Sequence, residues 1–479
     1  MSADLRLPHQ LAGRDKTLRA ACHCRRVEFT ITVPTSALPL PVHLCHCSIC
    51  RHTHGTLSCF HAPLPKGVQP EFVPPSSLAS SLTGYVHAQA VAERLFCTTC
   101  GCHVGDRSLE PEPDTGLSSW VVATSIFAAH DEETFQIRSH CYSTPATEPN
   151  LATWLPAING RPIHLWNPSA EDVGDSTPRG EGRKQAAPAI TTTATAAHDD
   201  DDDDDGSGGG GSEDHADQAL QAQCHCGGVS FAVLPPTEQE AADPFLSQFL
   251  QPEPSPDAGA AAASEAESAS ALRLKRPAGL CLCRDCRLVT GAHVVAWMYA
   301  PLGWLRPRGA AMHGEVEERR QQRQQQQQQK EQREEDEDED EEKGEDDKFG
   351  LCKFGTTLRT YRSSPPVTRA FCGVCGATVL YASDSPERIP PPPPDDHTGS
   401  GAGPQEEGLR RTVVDVAVGI LRDPSGSVAA DQWLLWQTAR CEGTETGTEF
   451  DRGFAEGLER GLAEWGLKRY GTQVDFGSL

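Results

Sequence analysis

Seven cysteines recur in the same order and local spacing in both halves of this 479-residue chain, and that repeat constrains the fold more than any other feature. The first half reads Cys22-x-Cys24, Cys45-x-Cys47-x-x-Cys50 and Cys97-x-x-Cys100-Gly101. The second reads Cys224-x-Cys226, Cys281-x-Cys283-x-x-Cys286 and Cys372-x-x-Cys375-Gly376. The flanks agree too: RLFCTTCG with RAFCGVCG, and CRHTHG with CRLVTG. Fourteen of the nineteen cysteines fall into this pattern, which chance does not produce. A chain of this length holds two or three ordinary domains. The repeat predicts one over 17–165 and another over 220–470.

Thiols at such spacings either form disulfides or bind metal. The N-terminal stretch MSADLRLPHQLAGRDK has no apolar core of a secretory signal. No run of 18 apolar residues occurs, so no membrane span is expected. A soluble, cytoplasmic chain in a reducing compartment is the expectation, and disulfides are rare there. Nineteen is also an odd number of thiols. Metal binding therefore leads. No basic stripe points to a nucleic-acid partner.

The halves differ in length because of inserts with little to bury. Cys226 to Cys281 is 55 positions against 21 for Cys24 to Cys45, and the longer gap contains PEPSPDAGAAAASEAESAS. Cys286 to Cys372 is 86 positions against 47, and the excess contains RRQQRQQQQQQKEQREEDEDEDEEKGEDDK. Inserts are predicted near 237–272, 314–348 and 386–408, on surface loops where length costs little. An acidic, glycine-rich linker is predicted over 170–215. The formal net charge of −26 is concentrated in such segments: Asp199 to Asp205 and Arg333 to Lys348 carry sixteen of those charges. Between the cysteines, VEFTITV, VSFAVL, SSWVVATSIF, ATVLYA and RRTVVDVAVGIL read as strands. One helix is evident, in EFDRGFAEGLERGLAEWG, with Phe454, Leu458, Leu462 and Trp465 on one face. The fold class is mainly β. Small β domains with modest cores commonly need a staple, which a structural metal can supply.

Ligand counting gives two zinc ions per half. A closed structural zinc takes four thiolates from two knuckles. Cys22, Cys24, Cys97 and Cys100 supply one set, and Cys224, Cys226, Cys372 and Cys375 the other. The triplets Cys45, Cys47, Cys50 and Cys281, Cys283, Cys286 leave a fourth position for water or substrate, as in a reactive zinc. A structural site closed by a nearby ligand and a metal-free redox cluster remain alternatives. His46, His52, His54, Cys59 or His61 could close the first triplet, and only His293 is near the second in sequence.

This order of motifs, with CHCSIC-R and RLFCTTCG, resembles the glutathione-dependent formaldehyde-activating enzyme family, to which centromere protein V also belongs. The resemblance covers both halves. It implies a pair of zinc-stapled folds of the β-tent (Mss) type and carbon–sulfur lyase chemistry, in which glutathione and formaldehyde combine as S-(hydroxymethyl)glutathione. It maps each triplet to a catalytic zinc and the remaining four cysteines of each half to a structural zinc. A non-catalytic zinc module that binds a thiol or a protein partner is the competing class. Two departures stand out. Arg25 replaces the glycine usual after the first pair, which Gly227 keeps. Leu282 and Arg284 replace the His46 and Ser48 of the first triplet. If one half is active, the first, with Cys45, Cys47 and Cys50, is expected. Arg94 and Arg369 are read either as glutathione-carboxylate partners or as surface arginines, and Arg51 and Arg287 as favouring thiolate. Trp154, Trp166, Trp433 and Trp436 are read as core, and Cys59, Cys102, Cys141, Cys352 and Cys441, outside the repeat, as buried, inert thiols.

Overall fold

Alternating side chains set the strands, because a pleated chain turns every second residue to the same face. In Glu28–Pro34 the residues Phe29, Ile31 and Val33 are buried. In Ser230–Val233 they are Phe231 and Val233. SSWVVATSIF forms a strand over Ser118–Ala123 and then turns at Thr124–Ile126. RRTVVDVAVGIL does the same, with strand Val413–Ala417 and a turn at Val418–Ile420. The structure, a computed structural model, describes residues 15–128, 130–167, 219–235, 237–254, 274–308, 347–385, 388 and 404–477. Among these the architecture is mainly β.

One strand order appears twice. The large sheet of the first half runs His164–Trp166, Phe135–Cys141, Leu40–Cys45, Cys59–Pro63, Ser118–Ala123, His103–Pro111, Ala92–Cys97, Leu82–Tyr85. In the second half Leu434–Trp436 pairs with Leu274–Cys281, followed by Val295–Pro301, Val413–Ala417, Thr378–Ser383, Val367–Cys372 and Leu358–Ser364. The strand entering each triplet has a parallel neighbour on one side and an antiparallel one on the other in both halves. A smaller sheet carries each Cys-x-Cys turn, between Asp15–Ala21 and Glu28–Pro34 and between Leu220–Gln223 and Ser230–Val233.

The two halves share one core, and their contacts are reciprocal. The His23 amide donates to the Leu288 carbonyl at 3.1 Å, and the His225 amide to the His52 carbonyl at 3.0 Å. The Tyr361 hydroxyl meets His23 Nδ1 at 2.7 Å, and the Tyr85 hydroxyl meets His225 Nδ1 at 2.7 Å. Residue i touching j while the counterpart of i touches the counterpart of j is the signature of an isologous, two-fold interface, here built within one chain. The approach is close. A Cβ on Gly55 would lie 2.1 Å from the Thr378 carbonyl oxygen, and one on Gly291 2.2 Å from that of His103.

The C-terminal helix Arg452–Tyr470 forms where the periodicity places it, N-capped by Asp451, with Phe454, Leu458 and Leu462 buried. It packs across the boundary, on Leu151–Trp154 of the first half. There Trp154 and Trp436 are fully buried with ring centroids 4.7 Å apart. Trp166 and Trp433 are only partly buried.

The insert expected near 237–272 is folded over its first part. Phe249 and Leu250 are buried, Phe245 packs on the core, and Asp243 pairs with Arg411 at 2.6 Å. Sparse aromatic residues were enough to anchor a segment that lacks strand or helix periodicity. The linker at 170–215 lies outside the described residues. So do the 314–348 insert, apart from Asp347 and Lys348, and most of 386–408, whose end joins the helix Pro404–Arg411.

Candidate metal centres

The expected four-thiol sets assemble in both halves. Cys22, Cys24, Cys97 and Cys100 lie with their sulfurs mutually within 4.8 Å, as do Cys224, Cys226, Cys372 and Cys375. Neighbouring sulfurs are 3.5 Å apart for Cys22 and Cys24 and for Cys24 and Cys97, and 3.4 Å for Cys226 and Cys372. A disulfide would need about 2.05 Å. Four sulfurs about 2.3 Å from one zinc would be about 3.8 Å apart, so these separations fit a tetrahedral ion with little movement. Backbone amides point at the ligands: Val27 donates to Cys22 Sγ at 3.4 Å and Val229 to Cys224 Sγ at 3.3 Å. Thiol hydrogen bonds from Cys100, Cys22 and Cys24 push Cys97 far down, and those from Cys224, Cys226 and Cys375 do the same to Cys372. Every cysteine is a free thiol.

Both triplets sit where a strand runs into a short helix. Cys45 ends its strand, Cys47 caps the helix Ser48–His54 and Cys50 lies in its first turn, its amide donating to Cys47 Sγ at 3.4 Å. Cys281, Cys283 and Cys286 repeat this around the helix Arg284–Thr290, with the same 3.4 Å bond from Cys286 to Cys283. The second triplet has its three sulfurs mutually within 4.8 Å. In the first half the set that meets this distance is Cys45, Cys50 and Cys59, and Cys47 adjoins Cys45 and Cys50. Cys59 is therefore no inert bystander. Thiol hydrogen bonds from Cys45, Cys47 and Cys59 hold Cys50 well down. Those from Cys281 and Cys283, with the Arg369 cation beside them, do so for Cys286.

Among the described residues none of the histidines suggested as closing ligands groups with a cysteine triplet, and each has one ring nitrogen in another contact. His46 Nε2 meets His140 Nδ1 at 2.9 Å, His52 Nδ1 meets Arg422 at 2.6 Å, and His54 Nδ1 meets the Cys50 carbonyl at 2.9 Å. His61 faces Asp106 at 3.7 Å. His293 hydrogen-bonds Ser125 Oγ at 2.7 Å and joins His130 and Asp451 instead of the second triplet. That group of two imidazoles and a carboxylate draws on three distant segments, and sequence reading missed it because no local spacing marks it.

The arginines are not surface residues. Arg369 is 5 % exposed, donates to Cys286 Sγ at 3.4 Å and to Ser363 Oγ at 3.0 Å, and lies over the Tyr381 ring. Arg94 contacts Cys50 in the same way. Arg51 donates to the His46 carbonyl at 3.2 Å and Arg287 to that of Ser125, and burial lowers each to about 10. Cys102 and Cys441 are buried as expected, whereas Cys141 is half-buried and Cys352 exposed.

A cavity of about 370 Å³ lies between the halves, lined by Arg19, Arg25, Arg284 and Arg287, by Glu28, which pairs with Arg19, and by apolar residues such as Ile126 and Phe127. Arg284 follows Cys283 in the chain; its counterpart in the first half is Ser48. Among the described residues no helix is long and apolar enough to cross a membrane. Residues 17–144 match the family model described as glutathione-dependent formaldehyde-activating enzyme. No curated protein matches the chain.

Proposed function

We propose that the chain is a zinc-dependent carbon–sulfur lyase, a reading supported by the match of residues 17–144 to the family model described as glutathione-dependent formaldehyde-activating enzyme. It would combine a thiol such as glutathione with an aldehyde such as formaldehyde, reversibly. We also infer a second copy of the domain over 220–470 and two zinc ions in each, all bound by the cysteines named above. The matching strand order and cysteine geometry of the two halves support that inference. The observation that carries the functional reading is a triplet of thiols capped by one helix turn, with a buried arginine against its last sulfur.

In the reaction the thiol sulfur forms a bond to the carbonyl carbon, the π pair moves to oxygen, and the thiol proton ends on that oxygen. Zinc at a triplet would supply a Lewis acid with an exchangeable position that keeps the incoming thiol ionised. The chain's own groups set up that chemistry. The Cys286 amide fixes Cys283 Sγ, and Arg369 offsets the negative charge of the clustered sulfurs from a buried position where its field is little screened. Arg284, next to Cys283 in the chain, lines the cavity between the halves and suits a substrate carboxylate, whereas Arg287 there is held by the Ser125 carbonyl and the Phe450 ring.

Exchange NMR of glutathione with formaldehyde tests the reading. Zinc-loaded protein is expected to speed interconversion with S-(hydroxymethyl)glutathione, and the metal-stripped protein is not. No acceleration by a fully loaded sample rejects this substrate pair.

A further inference from the structure

The two triplets sit in the same frame and differ at one rung of the sheet. Cys45 pairs with Cys59 across the antiparallel ladder, and Cys281 pairs with Val295 at the equivalent rung. Side chains directly opposite on neighbouring strands have Cβ atoms about 5 Å apart on one face. Whatever occupies this rung therefore points at the first thiol of the triplet. In the first half it is a second thiol, 1 % exposed and mutually within 4.8 Å of Cys45 and Cys50. In the second half it is an isopropyl group, fully buried and without a donor atom.

We propose that Cys59 supplies a fourth thiolate to the first cluster, making it a closed structural metal centre, while Val295 leaves the second cluster with three thiolates and one exchangeable position. Chain geometry alone separates the two. A thiolate held rigidly beside the ion competes at an effective concentration far above any attainable for a free thiol. An external thiol would thus be excluded from the first cluster and admitted to the second. His293 does not compensate: its Nδ1 meets Ser125 Oγ, and it groups with His130 and Asp451 rather than with the triplet. Among the described residues no fourth ligand atom lies within 4.8 Å of all three sulfurs of the second cluster; in the first, Cys47 adjoins Cys45 and Cys50 and would close on Cys59 to complete the set of four. The statement about substrate entry rests on the thiol–aldehyde reading above; the statement about ligands does not.

Cobalt(II) in place of zinc in the full-length protein reads both parts through its thiolate charge-transfer absorption. Glutathione is the probe, and release of metal to a chelator is followed in parallel. In the wild type one centre is expected to respond to glutathione. Cys59→Val should make a second centre respond and speed release of one ion by more than about 10-fold, since even outer-shell partners of metal ligands are worth about 10–100-fold. Val295→Cys should abolish the response while all ions remain bound. Should Cys59→Val fold poorly by circular dichroism, Cys59→Ser and Val295→Cys carry the same comparison. Wild-type release and response in Cys59→Val, or an undiminished response in Val295→Cys, would overturn the proposal. A chain whose centres all ignore glutathione defeats the thiol-substrate reading, while chelator release still decides the role of Cys59.

Discussion

The Cys45–Cys59 corner and the Cys281–Val295 corner share one construction and differ in the residue opposite the first thiol. Each has a strand ending in cysteine, a cysteine cap, a seven-residue helix closed by a left-handed glycine, and an arginine from a distant strand aimed at the last thiol. On the proposal above, that one rung decides how many thiolates a bound ion would meet. The motif alone gives the first triplet the stronger claim to activity, because it retains the family-like His46 and Ser48. The cross-strand neighbour favours the second. If the proposal holds, the ligand set depends on register as well as on local spacing, through the donor that the neighbouring strand offers or lacks.

That comparison requires equivalent frames, and the frames can be challenged. The largest effect is expected at the paired glycines between the halves. Gly55→Ala and Gly291→Ala each place a methyl group against a fixed carbonyl oxygen at a positive φ. Each should cost about 3 kcal/mol, combining left-handed strain with overpacking. Chemical denaturation measures this. Similar losses at both positions support the two-fold reading, and a large loss at only one breaks it.

A smaller effect tests the turn where the halves differ. Arg25 is held at φ 59°, and Gly227 occupies the matching place at φ 76°. A non-glycine residue in this region costs about 1–2 kcal/mol, partly offset by the greater chain entropy that glycine loses on folding. Arg25→Gly should therefore stabilise by about 0.5–1 kcal/mol, read as a rise in melting temperature. A decrease would mean that the Arg25 side chain contributes more than its backbone costs.

The cysteine frame was legible in the sequence because knuckle spacing is local: once a chain binds one ion with Cys-x-Cys and Cys-x-x-Cys, those residues must converge. The strands and the helix Arg452–Tyr470 were legible for the same reason, through periods of two and 3.6. Cys59 appeared as one of five possible closing ligands, since sequence gives its distance along the chain but not its ladder partner. The joining of His130, His293 and Asp451, the packing of the C-terminal helix on Trp154, and the reciprocal His23–Leu288 and His225–His52 bonds depend on how the halves meet. No pattern in either half encodes that alone. The folded stretch 237–254 escaped because two phenylalanines and a leucine pair anchored it without a period to reveal them.

The central claim is that thiol–aldehyde exchange belongs to the second triplet. The most direct test compares Cys47→Ser with Cys283→Ser in the exchange assay, with each variant shown to be folded and metal-loaded. Near wild-type acceleration in Cys47→Ser and loss in Cys283→Ser is the expected result. Loss in Cys47→Ser with activity retained in Cys283→Ser would contradict it and return the reaction to the first half.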